Sequence, residues 1–115
     1  MFDKQTLLEY WSPVIERCGF VLPSGTIIEV PNTHPNPTTN FAFAESYFKK
    51  FDNAIATWHT HPSTGPNLSV EDYRSFLSHP EVFHYIVGDG KVWGFYVKDN
   101  RVLRYEDSDF SGLPK

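Results

Sequence analysis

Short apolar runs separated by turn-forming residues divide this chain into brief helices and strands. Asp3 can cap a first helix, and Pro23, Ser24 and Gly25 form a turn signal between two runs that favour strands. The elements predicted in the first half are a helix over residues 3–11 that can extend to Ile15, a hairpin of strands 18–22 and 26–30, and an ordered loop over 31–40.

The second half of the chain also consists of apolar runs separated by turn-forming residues, and it ends in three predicted strands joined by tight turns. Its predicted elements are a brief strand 41–43, a helix 45–51, a buried strand 54–58, a loop 63–68, a helix 69–78, and strands 84–87, 92–98 and 101–105. This order predicts an α/β fold in which one mixed, mostly antiparallel sheet is flanked by helices. Residues 1–106 are predicted to form a single domain, and residues 107–115 a flexible tail.

Composition narrows the function classes. The chain has 115 residues, a formal net charge of −4 and no cluster of Lys and Arg, which argues against nucleic acid or an anionic membrane as partner. A single cysteine, Cys18, excludes an internal disulfide and a Cys-rich metal site. Neither a leader peptide nor a 20-residue apolar span stands out, so the expected location is the cytoplasm.

The stretch from Trp58 to Asp72 carries the candidate chemistry. His59 and His61 are one residue apart, so both imidazoles lie on one side of an extended segment. Asp72 follows after a short loop and supplies a third ligand. Two His and one Asp, without a fourth protein ligand, predict one zinc ion per chain with an open coordination position. Catalytic zinc sites keep such a position, whereas structural sites are closed by four protein ligands.

Ser69 and Asp72 also have a purely structural interpretation. Ser-x-x-Asp is close to a capping box, in which the serine side chain bonds the third helical amide and the acid reaches back to the cap. Ser69 could cap the helix and still face the site. For Asp72 the two interpretations compete, because its carboxylate either folds back on the cap or reaches the metal.

The motif resembles that of the JAMM (MPN-type) metalloproteases. The order Glu, His-x-His-Pro, seven residues, Ser, two residues, Asp is found here from Glu16 to Asp72. The chain is most similar to the short prokaryotic JAMM domains, including those of phage tail-assembly proteins. They share a Glu-x-Cys-Gly start, present at residues 16–19, and a Pro-x-x-x-Phe segment, present at residues 37–41. The resemblance covers residues 16–97.

The resemblance implies a role for each matching residue. His59, His61 and Asp72 would hold zinc, Glu16 would be the general acid/base, and Ser69 would donate a hydrogen bond to the developing oxyanion. The implied activity is hydrolysis of a peptide or isopeptide bond in a protein or peptide substrate. That substrate would be a ubiquitin-like modifier or a phage tail or assembly protein, handled in the cytoplasm of a bacterium or by a phage-encoded enzyme.

Three alternatives were weighed against this hypothesis. A zinc nucleobase deaminase needs Glu at position 61 and a later cysteine pair, and both are missing. A cysteine protease would use Cys18, but the metal motif already accounts for the histidines. The remaining rival is a non-catalytic structural or binding module with an assembly partner, in which zinc only stabilises the fold. In the enzyme, loops 31–40 and 63–68 are the expected walls of the substrate groove.

Overall fold

A computed structural model describes residues 2–42 and 46–105 of the chain. Its helices and strands follow one another along the chain in a fixed order. They are a 3₁₀ helix Lys4–Tyr10, β1 Cys18–Val21, β2 Ile27–Val30, α1 Ser46–Lys50, β3 Ala56–Thr60, α2 Val70–Leu77, β4 Phe83–Gly88, β5 Lys91–Lys98 and β6 Arg101–Tyr105.

The six strands form one sheet in the order β2-β1-β3-β4-β5-β6. β3 and β4 are parallel, and the other four neighbouring pairs are antiparallel. A parallel pair requires a crossover connection, and α2 lies within the one that joins β3 to β4. The predicted α/β class, with a mixed and mostly antiparallel sheet, is confirmed.

The sheet buries a different set of side chains on each face. On one face, Leu7 of the 3₁₀ helix packs with Trp58 and Val87 in an apolar cluster. On the other face, α1 covers Phe20 of β1, and Phe76 of α2 packs on Ile86 of β4. Side chains alternate along a strand, so β3 directs Trp58 to the first face and His59 to the second. The second face of β3 therefore lies between the two helices.

Gly19 is required by a close contact across the sheet. A Cβ atom at this position would collide with the Ile28 carbonyl oxygen and would lie 2.8 Å from Trp58 Nε1. The Trp58 indole instead lies against the bare backbone and donates a hydrogen bond to the Phe20 carbonyl oxygen at 3.2 Å. The glycine of the Glu-x-Cys-Gly segment thus has a packing function next to β3.

The predicted first helix was wrong in type and in length. The segment is a 3₁₀ helix that ends at Tyr10, and Trp11 is already extended. Ser12 precedes Pro13, and a residue before proline is disfavoured in the helical region. The Ser12 hydroxyl then accepts the Val14 amide at 3.1 Å, forming a turn instead of a continued helix.

Other boundaries moved by one or two residues, and one predicted element is missing. Phe41 and Ala42 lie outside any strand, because the Ala42 amide and carbonyl bond to Asn32 and Thr33 of the preceding loop. Phe43, Glu45 and the predicted tail 107–115 lie outside the described residues. None of the helices within residues 2–42 and 46–105 is long and apolar enough to cross a membrane.

Buried His84 on β4 links the sheet to the end of α2. Its Nε2 donates to the His79 carbonyl oxygen at 2.9 Å, and its Nδ1 accepts from the Thr57 hydroxyl at 2.6 Å. The ring stacks on Phe76 with centroids 4.1 Å apart. Burial lowers the pKa of His84 to about 4, because the neighbouring His79 and His59 add to the cost of a buried charge and the His79 carbonyl only partly opposes it.

We predict that the His84 imidazole titrates near pH 4 in the folded protein. As pH falls below the ordinary histidine pKa of 6.5, the unfolded chain takes up this proton first. The free energy of unfolding should then fall by up to about 3 kcal/mol towards pH 4. NMR titration of the imidazole signals tests this, with His84→Gln used to assign the resonance. A midpoint near 6.5 in the folded protein would contradict the prediction.

Candidate metal centre

The two histidines lie where β3 ends. His59 is the fourth residue of β3, and His61 follows its last residue. The His61 amide donates to the Val87 carbonyl oxygen at 2.7 Å, which continues the β3–β4 pairing one residue further. The His61 carbonyl oxygen accepts from Trp11 Nε1 at 2.9 Å. His61 is thus held in extended geometry, with its side chain on the same face as His59.

Asp72 lies beside both imidazoles from the first turn of α2. Its Oδ1 is 3.1 Å from His59 Nε2, and its Oδ2 is 3.3 Å from His61 Nε2. The same Oδ2 accepts the Ser69 amide at 3.0 Å, while Ser69 Oγ accepts the Asp72 amide at 3.1 Å. The capping box is complete, and the carboxylate still faces the histidines. Oδ2 completes the cap while the carboxylate also lies against both histidines, so the geometry accommodates the two roles that the sequence sets in competition.

His59 Nε2 has no hydrogen-bond partner, although the His59 side chain is 99% buried. It is the single buried side-chain polar atom in this condition within the described part of the chain. Asp72 Oδ1 is its nearest polar neighbour, at 3.1 Å, and the two atoms do not form a regular hydrogen bond. The ring is clamped by Phe41, which stacks on it with centroids 4.3 Å apart. A buried polar atom left unsatisfied is costly and points to a missing partner.

The tautomer of His61 is fixed by the loop that follows β3. Its Nδ1 lies 2.8 Å from the Gly65 carbonyl oxygen, and a carbonyl can only accept. Nδ1 therefore carries the hydrogen, and in the neutral ring Nε2 offers a lone pair towards Asp72. Metal-ligating histidines are typically oriented in this way by a carbonyl on the second nitrogen.

Gly88, at the end of β4, allows this loop to come close. A Cβ atom at position 88 would lie 2.5 Å from the Thr64 carbonyl oxygen and 2.7 Å from the Gly65 carbonyl carbon. No side chain can occupy that space without moving the loop. The contact therefore sets the position of the Gly65 carbonyl, and through it the orientation of the His61 ring.

Glu16 reaches the histidines from the segment before β1. Its amide donates to the Pro37 carbonyl oxygen at 2.7 Å, and its carbonyl oxygen accepts from Asn32 Nδ2 at 2.7 Å. The side chain is buried, and ligand atoms of Glu16, His59 and His61 all lie within 4.8 Å of one another. These three residues form a buried group that could hold a metal ion.

The two carboxylates at the site differ in charge state. Burial raises the pKa of Glu16 to about 7, which outweighs the attraction of His61, and the nearby Asp72 raises it further. Burial would also raise the pKa of Asp72, but the attraction of His59 and the hydrogen bond from the Ser69 amide hold it well below its usual range. Asp72 is thus ionised, whereas Glu16 can gain or lose a proton near neutral pH.

The histidines also differ from each other. Burial lowers the pKa of His59 despite the neighbouring Asp72, so this ring is neutral. Burial acts in the same direction on His61, but contacts with Asp72 and the Gly65 carbonyl outweigh it and raise the pKa. The buried charge of Asp72 favours a cation at this point, and a metal ion would have to displace the proton that His61 attracts.

A cleft of about 220 Å³ opens beside Glu16, Ser69 and Asp72. Its outer wall includes Thr39 and Asn40 of the loop predicted to line it. Loop 63–68 does not line this cleft, since it lies against Gly88 and its Gly65 carbonyl contacts His61, and its expected part in a substrate groove stays a prediction.

Sequence reasoning missed the residues that support the ligands. The sequence places Phe41 in a brief strand and in the Pro-x-x-x-Phe segment, and Gly65 and Gly88 in a loop and a turn, without indicating contacts with the ligands. A glycine close in sequence to a proposed ligand, such as Gly65, is a signal of a close backbone contact. The sequence does not show which segment makes that contact. Cys18 has a structural role, since it is fully buried, its Sγ lies 3.7 Å from the Val30 carbonyl oxygen, and burial raises its pKa to about 12.

The comparisons with known proteins support the fold and no more. The sequence matches no family model and no curated protein. Among solved structures, the chain is similar to the solution structure of protein DSY2949 from Desulfitobacterium hafniense. The TM-score is 0.58 and the sequence identity is 20%, with 89% of this chain and 82% of that chain covered. At this identity the likeness shows a shared architecture.

Proposed function

We propose that this protein is a zinc-dependent hydrolase of peptide or isopeptide bonds. The observation that carries the proposal is the unpartnered, buried Nε2 of His59, which lies beside ionised Asp72 and within reach of Glu16 and His61. Burying such an atom without a hydrogen-bond partner costs folding free energy. A metal ion supplies the partner.

The donor set fits zinc. Imidazole nitrogen and carboxylate oxygen bind Zn²⁺ at about 2.0–2.2 Å, so two ligands at the corners of a tetrahedron are about 3.3–3.5 Å apart. The distances from Asp72 oxygens to His59 Nε2 and His61 Nε2 are 3.1 and 3.3 Å. His61 is already in the required tautomer. Three such ligands leave one position open, as in catalytic zinc sites.

Glu16 is the group that would move protons. Zinc, when bound, would act as a Lewis acid and lower the pKa of a coordinated water. The Glu16 carboxylate would accept a proton from the attacking water and return it to the nitrogen of the leaving amine, which is general base and then general acid catalysis. Its fixed backbone contacts with Pro37 and Asn32 keep the carboxylate at the site.

Ser69 would stabilise the oxyanion that forms on the scissile carbonyl. Its oxygen accepts the Asp72 amide in the cap, so its hydroxyl hydrogen can be donated into the cleft that Ser69 lines. A donor aimed at developing charge acts mainly in the transition state. The resemblance of residues 16–72 to the JAMM motif supports the same roles and extends the proposal to a protein substrate, such as a ubiquitin-like modifier or a phage tail or assembly protein.

One observation favours the rival structural module. The capping box of Ser69 and Asp72 is complete without any metal. In that case zinc would only tie α2 to the end of β3, and Glu16 would have no chemical role. The two functions differ in what they require of the Glu16 carboxylate.

We predict that Glu16→Gln keeps the fold and zinc but lowers the rate of cleavage by about 100-fold or more, the usual contribution of a general acid/base. The substitution preserves the side-chain volume and removes the proton acceptor. Cleavage of a mixed library of peptides and isopeptide-linked peptides, followed by mass spectrometry, provides the measurement. Glu9→Gln, at an exposed position on the 3₁₀ helix, is the matched control and should be unaffected.

Cleavage by Glu16→Gln at the wild-type rate would remove Glu16 from the mechanism. The structural module is favoured if zinc-loaded wild-type protein cleaves nothing in the library while removal of zinc lowers its melting temperature.

We further predict that Gly88→Ala weakens zinc binding by about 10-fold or more, whereas Gly65→Ala does not. The new methyl group at position 88 must displace the Thr64–Gly65 backbone, so the carbonyl that orients His61 moves. A Cβ at position 65 meets nothing within 4 Å and leaves that carbonyl in place. Competition with a chromophoric chelator gives both dissociation constants, and circular dichroism checks the fold. Equal affinities in the two variants would contradict this role of the loop.

A further inference from the structure

Three adjoining cavities run from the metal site towards the start of β3. The first two lie between α1 and the end of α2, and the third lies at the sheet edge where β3 and β4 begin. The first is the cleft beside Glu16, and the second and third have volumes of about 140 and 480 Å³. The first and second share Phe48 and His79 as wall residues, and the second and third share Ala54, Glu81 and Val82. We call these three adjoining cavities the β3 groove.

The position of the β3 groove follows from the strand order. α1 sits over Phe20 of β1 and α2 over Ile86 of β4, and β3 lies between β1 and β4. The groove therefore begins at the metal site, at the carboxyl end of β3, and ends near Ile55 before its amino end. Five strand residues span about 16 Å, the length of about five residues of an extended peptide.

A stacked pair of rings stands at the middle of the groove. The rings of Phe48 of α1 and His79 after α2 stack face to face, with centroids 3.8 Å apart and an angle of 7° between their planes. Phe48 also contacts Phe20 edge-on at 5.3 Å, which holds the pair against the sheet. Both rings are partly exposed, so they offer a flat apolar surface to a side chain that passes between the first and second cavities.

The charged residues that line the groove are acidic, although the Lys50 ammonium lies 5.5 Å from the ring centroid of Phe51, which lines the second cavity. Acidic residues occur in all three cavities: Glu16, Glu71 and Asp72 in the first, Asp52 in the second, and Glu81 in the second and third. Not one Lys or Arg is found among the described residues that line them. The Glu81 carboxylate is 63% exposed and 3.6 Å from His79 Nδ1. Apolar ring surface alternates with carboxylates along the whole length.

We propose that the β3 groove binds an extended polypeptide segment that carries Lys or Arg side chains and leads into the metal site. Lysine and arginine combine an apolar stem with a charged end, so the stem packs on the Phe48–His79 pair and the charge meets Asp52 or Glu81. A segment with acidic side chains is repelled by Glu71, Asp52 and Glu81. The inference rests on the proposed function only in taking this segment to be part of the substrate.

The test is an NMR titration of the ¹⁵N-labelled protein with two synthetic peptides. One is an acetylated and amidated octapeptide in which three lysines are separated by Gly-Leu pairs, and the other has glutamate in place of each lysine. The lysine peptide should shift amides of Phe48, Ala54 and His79 and bind about tenfold more tightly than the glutamate peptide. Raising the salt concentration should weaken its binding.

Charge reversal at one position locates the contact. Glu81→Lys should weaken binding of the lysine peptide about fivefold, since it removes an attraction and adds a repulsion. Glu9→Lys makes the same change in charge on the opposite face of the sheet and should leave the affinity unchanged.

The proposal is overturned if the two peptides bind equally, if the shifted amides lie outside the groove, if Glu81→Lys has no effect, or if the lysine peptide shows no binding up to about 1 mM, the weak end of measurable affinity. Mass spectrometry of the peptides after the titration reports cleavage separately. Selective binding of an intact lysine peptide to protein that takes up no zinc would contradict the hydrolase and support the groove. Zinc uptake and cleavage in the library without selective binding of the lysine peptide would support the hydrolase and overturn the proposal for the groove.

Discussion

A buried carboxylate, Asp72, joins the start of α2 to the two histidines at the end of β3, and the geometry of the site depends on it. Oδ2 accepts the Ser69 amide and lies 3.3 Å from His61 Nε2, while Oδ1 lies 3.1 Å from His59 Nε2. An ion placed in an apolar core without such partners would cost several kcal/mol. The capping box therefore fixes the rotamer of Asp72 before any ligand binds, so that helix formation and site formation are the same event.

The backbone around the site is also fixed by strand pairing and hydrogen bonds. The pairing of β1, β3 and β4 fixes His59, and the Val87 carbonyl and Trp11 indole fix the peptide groups on either side of His61. Gly88 lets the following loop approach closely enough for a carbonyl to set the His61 tautomer. Rigid ligands that are already oriented give up little conformational freedom when they bind a metal or substrate. The positions of the ligand side chains are thus set mainly by backbone contacts of the sheet and the loop beside it.

Much of the fold could be predicted from the sequence, because its apolar runs and turn signals are local. The strands around Phe20 and Ile86, the cap at Ser69 and the mixed sheet follow from patterns within ten residues. The type of the N-terminal helix does not, since Ser12 and Pro13 compete with helix propensity. The site likewise has features that local sequence shows and features that it does not. The His-x-His spacing and Ser-x-x-Asp are local signals, whereas the contacts of Gly65 with Gly88 and of Phe41 with His59 join distant segments. No local periodicity indicates these contacts.

The proposed metal site lies between the end of β3 and the start of α2, and the first measurement to make is the zinc content of the purified protein, determined by mass spectrometry after reconstitution and dialysis. Asp72→Asn removes the charged ligand but keeps an acceptor for the Ser69 amide, while Ser69→Ala weakens the cap and keeps the carboxylate. We expect about one zinc per chain in wild-type protein and in Ser69→Ala, and a sharp loss in Asp72→Asn. Wild-type protein that binds no zinc, or an Asp72→Asn variant that retains it fully, would show that these residues do not hold the metal.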